Sequence, residues 1–170
     1  MFQGLVMAVM AVLVGLDQLT KWLAAVYLKP TPEGVTVIPK LLDFQYITNE
    51  GAAWGLFEGE KWFLVVLTTI TTMALLIFLL SGKLRRFALF NVSTILIVAG
   101  GIGNLIDRLV HGAVVDFIKT TFMSFPIFNV ADCYVVIGSV LMLIFFLFFY
   151  EEKAPAEGSH GNETDHSAGG

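Results

Sequence analysis

The sequence predicts an all-α membrane protein: four transmembrane helices, with a small β-rich extracytoplasmic insert between helices one and two. Three observations carry that reading. Hydrophobic residues make up 56% of the 170-residue chain and charged residues only 14%, against roughly 25% charge in soluble domains. The apolar residues gather into four runs, each able to cross a hydrocarbon core of about 30 Å at about 1.5 Å per residue. Between the first two runs lies a stretch rich in β-branched and aromatic residues, broken by turn formers.

Span one covers about Phe2 to Val26 and begins with an uninterrupted apolar stretch to Leu16. It lacks the basic leader and small-residue cleavage site of a removable signal and is read as a retained helix. The segment 28–61 follows. Thr36 to Ile38 and Leu42 to Thr48 read as strands separated by Pro39 and Lys40. Phe44 and Tyr46 should share one strand face, with Asp43, Gln45 and Ile47 on the other. Glu50-Gly51-Ala52-Ala53 then gives a compact backbone, and Leu56, Phe57 and Trp62 have the character of interfacial anchors. Spans two, three and four are predicted at Trp62 to Leu80, Phe87 to Ile106 and about Ala131 to Tyr150.

Charge sets the orientation. The loop Gly82 to Arg86 carries Lys83, Arg85 and Arg86 without an acid, the mark of a cytoplasmic loop. The insert belongs outside and both termini inside. The net charge of -4 is concentrated in the tail 151–170, which holds Glu151, Glu152, Glu157, Glu163 and Asp165 against Lys153. With few apolar residues, that tail is expected to be a disordered cytoplasmic appendage to a 1–150 domain. Its Asn162-Glu-Thr sequence matches a glycosylation pattern on the wrong side of the membrane, and His160 and His166 read as solvated. The rest is balanced, so no basic footprint for nucleic acid exists. One cysteine, Cys133, excludes an internal disulfide and a Cys-rich metal site.

Four aspartates, Asp17, Asp107, Asp116 and Asp132, lie in or beside the most apolar segments. Ionisable groups at hydrocarbon depth are costly and usually functional. Asp107 lies 21 residues beyond Arg86 and Asp132 lies 19 before Glu151, so each sits about 30 Å from the inner face, near the outer hydrocarbon edge. Asp17 and Lys21 are in the outer half of span one, and Asp116 follows span three after a connection containing Gly112. Four stretches thus bring polar groups to one layer.

Asp17 and Lys21 are spaced i,i+4, which suits a local ion pair. Asn104 and Asp107 are i,i+3 neighbours able to share a partner, and Arg108 offers a fork of donors to a carboxylate or to backbone carbonyls. Gly100, Gly101 and Gly103 would admit another helix at close range. Asp116 and Asp132 differ from these, having no basic residue at i±4; Lys119, at i+3 from Asp116, is expected to reach water. Asn129 is a plausible cap for span four, which puts Asp132 in a first turn, at the favourable end of the helix dipole. On pattern alone the two aspartates fit a hydrolytic dyad, a cation or proton relay, or polar packing. His111 is the only histidine outside the tail and the serines lack basic partners, so zinc and nucleophilic-triad chemistry are poorly supported.

At these residues the chain resembles the bacterial signal peptidase II family, the lipoprotein signal peptidases, which are membrane aspartic proteases. The matching stretches are Asp17-Gln-Leu-Thr-Lys21, Thr48-Asn49-Glu50-Gly51-Ala52-Ala53-Trp54-Gly55, Gly103-Asn104-Leu105-Ile106-Asp107-Arg108, Val114-Val115-Asp116-Phe117 and Phe128-Asn129-Val130-Ala131-Asp132. Five matches in family order are far more specific than any one. The resemblance implies that Asp116 and Asp132 are catalytic. It implies that Asn49, Gly51, Asn104, Arg108 and Asn129 line or hold the site, and that Asp17, Lys21 and Asp107 support it. The implied substrate is a diacylglyceryl-modified prolipoprotein, cut just before the lipidated cysteine, with no metal or other cofactor. The implied setting is the bacterial plasma (inner) membrane, among membrane lipids, with the site near the extracytoplasmic face and the protein acting as a monomer. Trp54 and Cys133 depart from the residues usual in the family, and the tail has no counterpart.

Two other readings compete. A small cation- or proton-coupled transporter would use the same aspartates, although transport sites usually lie at midplane between inverted repeats. A structural subunit would explain the glycines but not two unpaired aspartates at one depth.

Overall fold

The computed structural model describes residues 2–51, 57 and 59–150. The expected Gly51-Ala52-Ala53 turn beyond Gly51, the departure at Trp54, the anchor Leu56 and the tail 151–170 lie outside the described residues. Four helices are long and apolar enough to cross a membrane: α1 (Phe2–Tyr27), α2 (Lys61–Leu80), α3 (Ala88–Val110) and α4 (Val130–Phe148). The protein is a multi-pass membrane protein, with apolar side chains such as Leu5, Val12, Ile70 and Leu143 facing outward. Phe57 and Trp62 are likewise exposed.

Helix α3 lies at the centre of the bundle, and its glycines explain why. A Cβ on Gly100 would collide with the Ala131 carbonyl of α4, one on Gly101 with the Thr72 hydroxyl of α2, and one on Gly103 with the Asp17 carboxylate of α1. Three nearby positions without side chains let one helix approach three others. Toward the α2 side, Val6, Met10, Leu79 and Val98 form an apolar core.

The insert forms strands β1 (Val35–Ile38) and β2 (Leu42–Asn49), joined by a turn in which Lys40 adopts φ 63°. A third strand, β3 (Val114–Thr120), comes from the connection between α3 and α4, after a turn in which Gly112 has φ 88°. The sheet is antiparallel in the order β1-β2-β3. The sequence reading placed Asp116 in the connection after span three and assigned no strand there. The uniform apolarity around Asp116 reflects a strand buried on both faces. Val115 and Phe117 pack with Phe44 and Tyr46 against Ala24 and Leu28 at the end of α1. Val114 and Asp116 face the other way, into a cavity. Phe44 and Tyr46 do share a face, as expected. The Lys119 ammonium, on a half-exposed side chain, also donates to Gln45 Oε1 at 2.9 Å.

Candidate active site

The expected ion pair forms and has a third member. Lys21 Nζ lies 3.0 Å from Asp17 Oδ2 and 3.1 Å from Asp107 Oδ2, and donates to Asn104 Oδ1 at 2.9 Å. Asn104 and Asp107 therefore share Lys21 as a partner. Backbone donors add to this set: Ala131 N donates to the second Asp17 oxygen, Oδ1, at 2.9 Å, and Val115 N donates to Asp107 Oδ2 beside Lys21 at 3.0 Å. Gln18, which the sequence reading quoted without a role, donates to Asp107 Oδ1 at 3.0 Å and to the Gly103 carbonyl at 3.1 Å. A glutamine inside an apolar span was the signal that could have found it. Asp17, Lys21 and Asp107 are all buried, at 0%, 3% and 1% exposure. Two carboxylates and one ammonium are tolerable there because backbone and amide donors complete the set.

Asp116 and Asp132 are held differently. Among the described residues, no lysine or arginine nitrogen lies within 4.0 Å of either carboxylate; their contacts are to amides. Asn49 Nδ2 donates to Asp116 Oδ2 at 2.9 Å and Asn129 Nδ2 to Asp116 Oδ1 at 2.7 Å. Asn104 Nδ2 donates to Asp132 Oδ1 at 2.8 Å, and Asn129 N to Asp132 Oδ2 at 3.1 Å. The expected cap is present as a full capping box: the Asn129 side chain accepts from Asp132 N at 2.9 Å while Asp132 reaches back. Asn129 thus touches both carboxylates and fixes one relative to the other.

Each amide is oriented by what its two ends meet. Asn49 Oδ1 accepts from Gly51 N at 3.0 Å, which leaves its Nδ2 for Asp116. Asn104 Oδ1 takes Lys21 and Asn129, which leaves its Nδ2 for Asp132. The ion-paired group therefore sets the amides that hold the second pair. Arg108 Nη2 donates to the Gly51 carbonyl at 3.1 Å, joining α3 to the chain after β2, while its buried Nε has no hydrogen-bond partner among the described residues.

Burial pushes the Asp116 carboxyl up to about 6. Hydrogen bonds from Asn49 and Asn129 and the more distant Lys21 act against that rise, and the charge of Asp132 adds to it. Asp116 is 1% exposed, whereas Asp132 is only half-buried. Both line a cavity of about 630 Å³, together with Asn49, Asn104 and Arg108. Its remaining wall is apolar: the loop Phe125–Phe128, whose role the sequence reading missed, and Cys133, Val136 and Ile137 of α4. Among the described residues no cluster of His, Cys, Asp and Glu could hold a metal. The arrangement suits proton transfer between two carboxyls and a bound molecule that is polar at one end and apolar at the other.

Comparisons with known proteins converge on this architecture. The sequence profile described as signal peptidase (SPase) II matches residues 9–148. A lipoprotein signal peptidase of Enterococcus faecalis is 41% identical over 153 residues, 89% of this chain and 91% of that one. One from Listeria monocytogenes is 40% identical over 134 residues, 78% of this chain and 86% of its own. A bacterial membrane enzyme solved by the in meso method at 2.3 Å superposes with a TM-score of 0.78 at 36% identity, covering 85% of this chain and 88% of the other. Nothing in these matches supports the transporter reading. By its sequence over nearly all of the membrane-spanning region, and by the fold that sequence adopts, the chain belongs to the signal peptidase II family.

Proposed function

We propose that this protein is an aspartic endopeptidase that removes signal peptides from diacylglyceryl-modified prolipoproteins, cutting just before the lipidated cysteine. The observation that carries the reading is the pair Asp116 and Asp132: two carboxyls facing one cavity, both bonded to Asn129, and neither with a cation in contact among the described residues. Carboxyls coupled in this way share a proton more readily than they hold two charges.

Asp116, raised to about 6 by its burial, is the member that holds the proton. A peptide displacing water from the cavity adds to that desolvation. Asp132, with two donors and a position in the first turn of α4, serves as the base. It takes a proton from water as the water oxygen attacks the scissile carbonyl. Asp116 gives its proton to the carbonyl oxygen; as the C–N bond breaks, Asp132 passes the proton it took from water to the leaving nitrogen, and a hydroxyl proton of the tetrahedral intermediate returns to Asp116. The Nε of Arg108, without a partner among the described residues, offers a donor to the substrate backbone, and the Gly51 carbonyl held by Arg108 fixes the adjacent chain. Asn49, Asn104 and Asn129 hold the carboxyls, while Asp17, Lys21 and Asp107 support the amides.

The positive loop Lys83–Arg86 supports cytoplasmic termini and a site near the extracytoplasmic face of a bacterial plasma membrane. A bond anchored beside a diacylglyceryl group lies at that level. In this reading the 1–150 unit works as a monomer among membrane lipids and without a metal, and the acidic tail is dispensable.

The test is cleavage by purified protein, with the product identified by mass spectrometry. A precursor bearing the diacylglyceryl group should be cut immediately before its cysteine, and the unmodified precursor should survive. Equal cleavage of both precursors, or a cut elsewhere, would contradict the substrate assignment.

A further inference from the structure

Gln18 lies where α1 meets α3, and its Nε2 faces three oxygens: Asp107 Oδ1 at 3.0 Å, the Gly103 carbonyl at 3.1 Å and Asp17 Oδ2 at 3.3 Å. Carboxylate and carbonyl oxygens only accept, so the amide is oriented with its NH2 group toward them. Gly103 and Asp107 are one turn apart on the same face of α3. A single NH2 group that reaches both ties the Asp107 side chain to the backbone of its own helix, which fixes the rotation of the carboxylate. With Oδ1 held by Gln18, Oδ2 is turned to Lys21 at 3.1 Å and to Val115 N at 3.0 Å. Lys21 does not set that rotation by itself, because an ammonium is a point charge with freely turning donors and attracts either oxygen. Val115 precedes Asp116 on β3, and its carbonyl accepts at 3.3 Å from Asn129 Nδ2, the group that also donates to Asp116 Oδ1 at 2.7 Å. A line of hydrogen bonds therefore runs from Gln18 through Asp107, Val115 and Asn129 to Asp116. The mechanism above gives its first member no task.

We propose that Gln18 is a positioning residue for the reaction: by locking the rotation of Asp107 it fixes the Val115 amide, and through it the place of the Asp116 carboxyl in the cavity. The role rests on the peptidase reading above. A side chain needed only to fill the contact between α1 and α3 could be replaced by another of its size, whereas one needed as a donor could not. Without the donor, Asp107 Oδ1 loses its hydrogen bond in a buried setting. The carboxylate then turns both oxygens toward Lys21, and its bond to Val115 N loosens. A misplacement of about 1 Å at a reacting group costs up to about 10²-fold in rate. Strand β3 is still held by β2 and by Phe128, so its displacement and the loss of rate are smaller than that.

Gln18→Met keeps length and bulk and removes the donor. The first measurement needs no turnover: amide hydrogen exchange of the full chain in lipid nanodiscs. Protection of the Val115 N–H should fall about ten-fold in Gln18→Met, while that of Val98, in the core of α3, stays within about two-fold. Unchanged protection at Val115 would overturn the proposal, and so would equal losses at both positions. Failure of the wild type to cleave lipoproteins would instead remove the peptidase reading and leave this result standing. In the active protein, kcat of Gln18→Met per folded molecule should fall about five-fold, with KM for a pre-lipidated substrate changed less than about two-fold. The Gln18→Glu side chain has nearly the original shape but donates only while protonated. The charged groups around it are Asp17 and Lys21 on α1 and Asp107 on α3, and Asp132 of α4 meets this cluster through Asn104. Strand β3 and the start of α4 reach it through the backbone N–H groups of Val115 and Ala131. Relative to wild type at the same pH, kcat of Gln18→Glu should approach one at low pH and fall as pH rises, a recovery that Gln18→Met does not show. Wild-type kcat in Gln18→Met, a loss carried by KM alone, or a Gln18→Glu ratio that ignores pH would each reduce Gln18 to packing and overturn the proposal.

Discussion

Two pairs of aspartates lie side by side in this protein and are handled in opposite ways. Asp17 and Asp107 share the Lys21 ammonium, and Asp17 closes against Gly103 of α3. Asp116 and Asp132 receive only neutral amide donors and face a cavity. We propose that the same side chain is structural where a cation neutralises it and available for chemistry where only amides hold it. The two pairs are linked through Asn104, which Lys21 grips by its oxygen and which grips Asp132 by its nitrogen. In this proposal the first pair maintains the geometry that the second uses.

The comparison breaks most visibly at Lys21. Lys21→Met should cost about 3–5 kcal/mol of stability, since it leaves two buried carboxylates without their cation. Adding Asp17→Asn to that variant should recover part of the loss in thermal unfolding. A Lys21→Met protein that melts like the wild type would mean the ion pair is not what holds α1 to α3.

A smaller effect is expected at the helix crossing. Gly103→Ala places a methyl group against the Asp17 carboxylate and Ala131 Cβ and should cost about 1–3 kcal/mol. Gly15→Ala, with nothing within 4 Å of the new Cβ, is the internal control and should be neutral or slightly stabilising. Equal behaviour of the two variants would refute the close approach of α1 to α3.

The smallest and most specific effect is a displaced pH profile. If the proton on Asp116 is needed, kcat/KM of the wild type declines as pH rises through about 6. The Asn49 hydrogen bond favours the charged carboxylate and pulls that value down. Asn49→Ala therefore raises it further, and the alkaline decline should move to higher pH, as a property of the coupled pair. A profile that stays in place or moves to lower pH would show that Asp116 is not the proton carrier.

Much of this division could be read from residues before any coordinates. The i,i+4 spacing of Asp17 and Lys21 is a local property of one helix, and so is the position of Asn129 as a cap. Asn104 and Asp107 were legible as neighbours that would share a partner because helical spacing alone brings them together. What escaped the sequence was non-local. The strand 114–120 looked like a generic apolar run because both of its faces are covered, which erases the alternation that marks a strand. Its pairing with β2 brings Asn49 to Asp116 across 67 residues, and no spacing rule contains that distance; resemblance alone pointed to Asn49. The bond from half-exposed Lys119 to Gln45 across the sheet is non-local in the same way. The apolar loop 125–128 was passed over because its purpose depends on the α4 face opposite.

The central claim is that one pair of aspartates performs the chemistry and the other maintains it. The most direct test is to measure kcat and the thermal midpoint on the same purified samples of Asp116→Asn, Asp132→Asn, Asp17→Asn and Asp107→Asn, with a pre-lipidated substrate. The two cavity variants should lose at least about 10³-fold in kcat while remaining folded, since the proton transfer they lose is made in the transition state. The two ion-pair variants should melt lower, yet keep kcat per folded molecule within about ten-fold of wild type. Near-normal turnover in Asp116→Asn or Asp132→Asn would contradict the account.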